Sequence, residues 1–109
     1  MQHFDLASLD VQPHQPQILQ SERGEGRAIA INLPAGEELS DHEVHERAYL
    51  VVVSGRVEIT GEQSVDGNPG TLAVFDPHER HAVKATEDAR LLLILAPWPG
   101  TGHPGARDD

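Results

Sequence analysis

Turn-forming residues interrupt this chain at such short intervals that no segment carries a sustained helical stripe. Gly24-Glu25-Gly26, Pro34-Ala35-Gly36, Ser54-Gly55, Asp66-Gly67-Asn68-Pro69-Gly70, Asp76-Pro77 and Glu87-Asp88 combine residues that tolerate positive φ, fix φ, or cap a turn with a side chain. Between them the sequence alternates apolar with polar residues or runs in β-branched stretches, the two-residue period of a strand. The predicted strands are Gln17–Ser21, Arg27–Leu33, Ala48–Val53, Arg56–Gly61, Thr71–Phe75, His81–Ala85 and Ala89–Ala96. Strands this short and this closely spaced predict an all-β fold, a barrel or a sandwich.

A chain of 109 residues supports one hydrophobic core, because two would leave each half too small to stabilise itself. A single domain is therefore expected over 1–109, with a core at about 17–96. The arm 1–16 carries Pro13 and Pro16, and the Pro/Gly-rich tail 97–109, which holds Trp98 and His103, is expected on the surface. Eighteen acidic against eight basic residues leave a net charge of −10 with no basic stripe, which argues against nucleic acid or an anionic membrane as a partner. The chain has no cysteine, so disulfides, thiolate metal sites and cysteine nucleophiles are excluded. The longest apolar run, Leu91 to Ala96, falls far short of the roughly 20 residues of a membrane helix. Asp5 and Asp10 stand where a signal peptide would be basic and then apolar. The expectation is a soluble, cytoplasmic protein.

Two of the predicted strands are apolar on both faces: Tyr49-Leu50-Val51-Val52-Val53 and Leu91-Leu92-Leu93-Ile94-Leu95. A strand with one face in the core needs only one apolar face, so something must cover the other. A second copy of the chain is the simplest cover, and a homodimer is predicted; the alternative is cover by a neighbouring sheet or the N-terminal arm.

Four of the seven histidines fall into two matched pairs, His42-Glu43-Val44-His45 and His78-Glu79-Arg80-His81, both at turn-to-strand boundaries. Neutral imidazole is a ligand for transition metals, and a carboxylate such as Glu46 can complete such a site. The spacing is equally compatible with solvated loop histidines. Arg47 beside the first pair could hold a small carboxylate or pair with Glu46 or Glu43.

Gly36, five residues, His42, and then Tyr49 through Ile59 with Gly55 resemble the first motif of the cupin family; Gly70, five residues, and Asp76-Pro77-His78-Glu79-Arg80-His81 resemble the second. The resemblance runs from about Gly36 to Ala96 and implies a cupin-type β-barrel, the double-stranded β-helix or jelly roll. Cupins that bind metal use two histidines and a glutamate of the first motif with one histidine of the second. By position His42 and His81 match, while Val44 and Ala48 stand in place of the second histidine and the glutamate. Asp76 and His78 replace the proline and glycine of the second motif's turn. A one-residue bulge would bring His45 to the position of Val44, so the expected metal ligands are His42, His45 and His81, with Glu46 and His78 in undecided supporting roles.

The resemblance therefore implies a small cupin that binds a divalent transition metal (zinc, iron, nickel, manganese or copper) through a histidine cluster, with its substrate, and whether it is an enzyme, unassigned. The alternative is a metal-free cupin that binds or senses a small-molecule ligand. If His42 points inward, Val44, Ala48, Leu50, Val52, Val57, Ile59, Phe75 and Val83 line the barrel, with Trp98 plugging one end or packing in a dimer.

Overall fold

The computed structural model describes residues 1–42 and 44–103, and for residues 40–42 the backbone alone. The strands are β1 Gln17–Glu22, β2 Gly26–Leu33, β3 Glu38–His42, β4 Arg47–Ser54, β5 Val57–Thr60, β6 Ser64–Gly67, β7 Leu72–Phe75, β8 His81–Ala85 and β9 Ala89–Ala96. No helix occurs among the described residues, and none is therefore long and apolar enough to cross a membrane. One sheet runs β1-β2-β9-β4-β7 and the other β3-β8-β5-β6, every pair antiparallel. The seven predicted strands all form, with ends shifted by a residue or so. The two extra ones, β3 and β6, carry Glu-Leu-Ser-Asp-His and Ser-Val-Asp-Gly, which have too few apolar residues for a visible period. They are strands because β8 and β5 offer them backbone partners.

The core lies between the sheets. Ala48, Leu50 and Val52 of β4 meet Leu91 and Leu95 of β9 on one side, and Val57, Ile59 and Val83 on the other, all buried. Of the inward residues predicted for the barrel, all but the only partly buried Val44 belong to this buried core. Gly55 permits the β4–β5 turn: its φ of 80° is left-handed, and a Cβ there would strike the carbonyl of Asp88.

The outer face of the five-stranded sheet is apolar as the two doubly apolar strands required. Cross-strand register sets Val74, Tyr49, Ile94 and Ala28 in one row and Leu72, Val51, Leu92 and Ala30 in the next. The N-terminal arm covers one end of this face. Asn32 Nδ2 donates to the Val11 carbonyl at 2.8 Å, Arg90 donates to the carbonyls of Leu6 and Leu9, and Val11 is buried. Leu72 and Val74 remain 57% and 47% exposed.

Candidate functional site

Between the sheets is a cavity of about 130 Å³ lined by Ile31, Leu39, Leu50, Phe75, His81, Val83 and Leu93. His81 opens β8, whose alternation turns residues 81, 83 and 85 inward. Its ring stacks on Phe75 with centroids 4.0 Å apart and planes within 10°. Its Nδ1 lies 3.2 Å from the Glu79 carbonyl, an acceptor to which a protonated Nδ1 donates. His81 is 6% exposed and, among the described residues, is the one polar side chain on the cavity wall.

His42 ends β3 directly opposite His81 in the β3–β8 register; its side chain lies outside the described residues. His45 is elsewhere. It sits in the turn between β3 and β4, with its ring edge-on to His78 at 4.9 Å and to His103 at 5.5 Å between centroids, and it does not line the cavity. The structure thus brings His42 and His81 into register and places His45 in a second group.

That second group forms at one pole of the barrel, where three irregular segments meet. The turn 44–46 is tied to the β7–β8 turn by the His78 amide, which donates to the Val44 carbonyl at 2.7 Å. His78 adopts φ 68°, the left-handed region that the family's glycine would occupy without strain. Residues 97–103 close over the turn 44–46. Trp98 takes the Arg27 guanidinium on its face at 3.9 Å and its carbonyl accepts from the Gly24 amide at 2.6 Å. Gly100 is buried against the His45–Glu46 peptide, where a Cβ would come within 2.5 Å of the His45 carbonyl oxygen. Residues 97–103 of the expected surface tail are therefore a docked strap, while residues 104–109 lie outside the described part. Aromatic and small residues spaced by proline have no period, so no pattern in the sequence signals the docking.

Glu46 is the centre of the strap's attachment. It is 1% exposed, and its Oε2 accepts from the Gly100 amide at 2.6 Å and lies 3.0 Å from His103 Nδ1. The His103 contact is close in distance but not aligned as a hydrogen bond, and Glu46 Oε1, His45 Nδ1 and His103 Nδ1 are all buried without a hydrogen-bond partner. An unsatisfied buried polar atom costs about 1–3 kcal/mol. Arg47 turns away to Asp76, at 2.5 Å on the surface, rather than to Glu46; Glu43 is outside the described residues. Among the described residues no group of three or more His, Asp or Glu side chains stands arranged to hold a metal ion. Nor do the cavity residues fit the family's four-ligand centre: Ala48 replaces its glutamate, and the described wall carries one imidazole.

Two face-to-face antiparallel sheets joined in this order, with glycine-marked turns, agree with a direct family match: residues 30–96, more than half of the chain, match the cupin domain family. The chain is a cupin. An RmlC-like cupin protein from Desulfovibrio desulfuricans has the same fold, with a TM-score of 0.78 at 22% identity over 89% of this chain and 97% of that one. A cupin superfamily protein from Desulfitobacterium hafniense follows at 0.71 and 16% identity, covering 84% and 85%. An L-ectoine synthase from Thermobifida fusca is 32% identical over 74 residues, which are 65% of this cupin and 54% of the synthase. The chain spans about half the length of the curated relatives it matches.

Proposed function

We propose that this cupin is a binding protein for a compact, largely apolar small molecule carrying one hydrogen-bonding group, received in the barrel cavity and oriented by His81. The observation behind this reading is the wall itself: among the described residues, six apolar side chains and one buried imidazole surround about 130 Å³. An apolar cavity of about 150 Å³ accepts benzene, so the ligand has roughly five or six heavy atoms. Apolar walls with a single placed polar group are the usual composition of such sites. The similarity to L-ectoine synthases supports a small organic molecule as occupant of the barrel. The test is a thermal-shift and NMR screen of molecules of this size, imidazole and short carboxylic acids among them. Binders are expected to shift resonances of Leu50, Phe75 and Leu93 and to lose affinity in His81→Ala. A screen without a hit, or hits that leave the cavity resonances unmoved, refutes it.

A second reading is favoured by the register of His42 against His81: a divalent metal held by these two histidines, with His45 joining them only if its ring leaves His78 and His103. Neutral imidazoles would bind it and, when present, it would act as a Lewis acid. Elemental analysis of untagged protein supports this reading if about one ion per chain is lost in both His42→Ala and His81→Ala. Two copies of the chain associate, on this same proposal, through the outer sheet face around Leu72 and Val74, whose exposure leaves an apolar surface that a second subunit would cover. Sedimentation is expected to give a dimer, with Val74→Glu shifting it toward monomer; a wild-type monomer at micromolar concentration overturns the dimer.

A further inference from the structure

Four strands lie at the edges of the two sheets, and three of them are guarded against further pairing. β1 is broken by a bulge between Ile18 and Gln20 and ends on Glu22, β3 carries Glu38 and Asp41 with a register shift of its own, and β6 carries Asp66. Charges and bulges are the usual means of blunting a sheet edge. β7 has neither. It reads Leu72-Ala73-Val74-Phe75, pairs with β4 in unbroken register, and among the described residues has no strand on its other side. The Val52 amide donates to the Thr71 carbonyl at 2.9 Å, so 52 and 71 form a hydrogen-bonded pair. Alternation along the ladder then turns the N–H and C=O groups of Leu72 and Val74 away from β4, as an added strand would require. Beside this edge a cleft of about 580 Å³ opens between the sheets, within the roughly 300–1,000 Å³ of clefts that receive ligands. Val65 shares the inward face of its cross-strand partner Ile59, yet is 41% exposed, and both line the cleft with Phe75. Glu79 stands at the Phe75 end. Its Oε1 accepts from the Asp76 amide at 3.0 Å, and its Oε2 lies beside Gly61, 3.3 Å from where a Cβ on that glycine would stand. Glu62 follows Gly61 in the same turn, and among the described residues no basic side chain lines the cleft. Phe75 is the one residue it shares with the barrel cavity.

We infer that β7 and this cleft bind an extended segment of another protein by strand addition, with a backbone paired to Leu72 and Val74, apolar side chains entering the cleft, and a lysine or arginine at one end facing Glu62 and Glu79. In complexes of this kind the main-chain bonds supply affinity and the alternate side chains specificity. Charge sets the basic end: the cleft offers two carboxylates in a chain of net charge −10, and complementary charge steers and selects a partner. β7 has four residues, so its edge accommodates a segment of roughly four to six residues at about 3.3 Å each. Every pair in both sheets is antiparallel. A segment added in the same sense has its N-terminal end at Phe75, beside the carboxylates.

The experiment titrates the full, isotope-labelled chain by NMR with an acetylated and amidated hexapeptide, Lys-Thr-Val-Thr-Val-Thr. Saturable shifts are expected at Val65, Leu72 and Val74, with slowed amide exchange at Leu72 and Val74. The same peptide with glutamate in place of lysine is expected to bind roughly threefold or more weakly, the range of exposed ion pairs. The double variant Glu62→Gln, Glu79→Gln is expected to erase that preference, as a thermodynamic cycle requires of a direct contact. Changes to the peptide leave the protein intact, so they test the backbone pairing without any risk to the fold. Methylating one alternate set of its backbone nitrogens is expected to abolish binding, and methylating the other set to preserve it. His81→Ala leaves the affinity unchanged. The inference is overturned by an absence of saturable shifts up to millimolar peptide, by equal affinity for the lysine and glutamate peptides, or by equal binding of the two methylated sets. Loss of binding in His81→Ala overturns it by placing the peptide in the barrel. Sedimentation in which the peptide dissociates a dimer overturns it by giving this edge to a second copy of the chain.

Discussion

Replacing Gly100 by alanine adds one methyl group to the tightest point of the strap. That Cβ would lie 2.5 Å from the His45 carbonyl oxygen, 2.7 Å from its carbon and 3.1 Å from the Glu46 nitrogen. All three are backbone atoms of a turn that the His78 amide pins from the other side, so the turn cannot yield. The strap must instead retreat by roughly 1 Å to restore carbon contacts of about 3.5 Å. That movement stretches the Gly100–Glu46 hydrogen bond from 2.6 Å beyond the roughly 3.2 Å at which such bonds hold. A hydrogen bond to a charged group is worth about 1.5–3 kcal/mol, and overpacking costs about 1–3 kcal/mol. The two do not add, because undocking relieves the overpacking. A loss of about 2 kcal/mol is expected, a fall in Tm of roughly 10 °C for a domain of this size. The chain has one tryptophan, Trp98, in the strap itself, so its emission should shift to the red and amide exchange should quicken over residues 97–103. An unshifted emission maximum together with a Tm within about 2 °C of the parent, against an expected scale of about 4–8 °C per kcal/mol, would refute the close packing on which this rests.

Leu50→Ala removes a buried side chain at the centre of the sheet interface and beside the cavity; chemical denaturation should report a loss of about 2–5 kcal/mol. Gly55→Ala combines a left-handed φ with a collision against the Asp88 carbonyl, and a loss of more than about 2 kcal/mol is expected by the same measurement. Arg47→Ala breaks the ion pair to Asp76, whose partners are largely solvated, so its Tm should change little, in keeping with a contribution of about 0–1 kcal/mol.

The strands that pack the core were legible because their side chains obey a two-residue period and their ends are marked by turn residues, as in β2, β4, β8 and β9. β3 and β6 escaped because their signal is held by their neighbours' backbones, and a short polar strand has nothing in its own composition to announce it. The histidines were legible as a group but not in their grouping. The resemblance to the cupin motifs, with a bulge at His45, implies His42, His45 and His81 together, whereas the chain turn after β3 carries His45 to His78 and His103 and leaves His81 against Phe75.

An all-β cupin and its inward residues are readable from the chain alone, because alternation, glycine turns and the two spaced motifs are local properties of each segment. That residues 97–103 are a strap with Glu46 buried beneath them emerges from the fold, since Gly100 is 54 residues from Glu46 and no periodicity spans that distance. The fold also decides that Arg47 serves Asp76, a choice between carboxylates made by how β4 and the turn after β7 are brought together. The physical reason is the same throughout: a strand's face is set by its own period, but which polar groups meet, and which are left without a partner, depends on where distant turns converge.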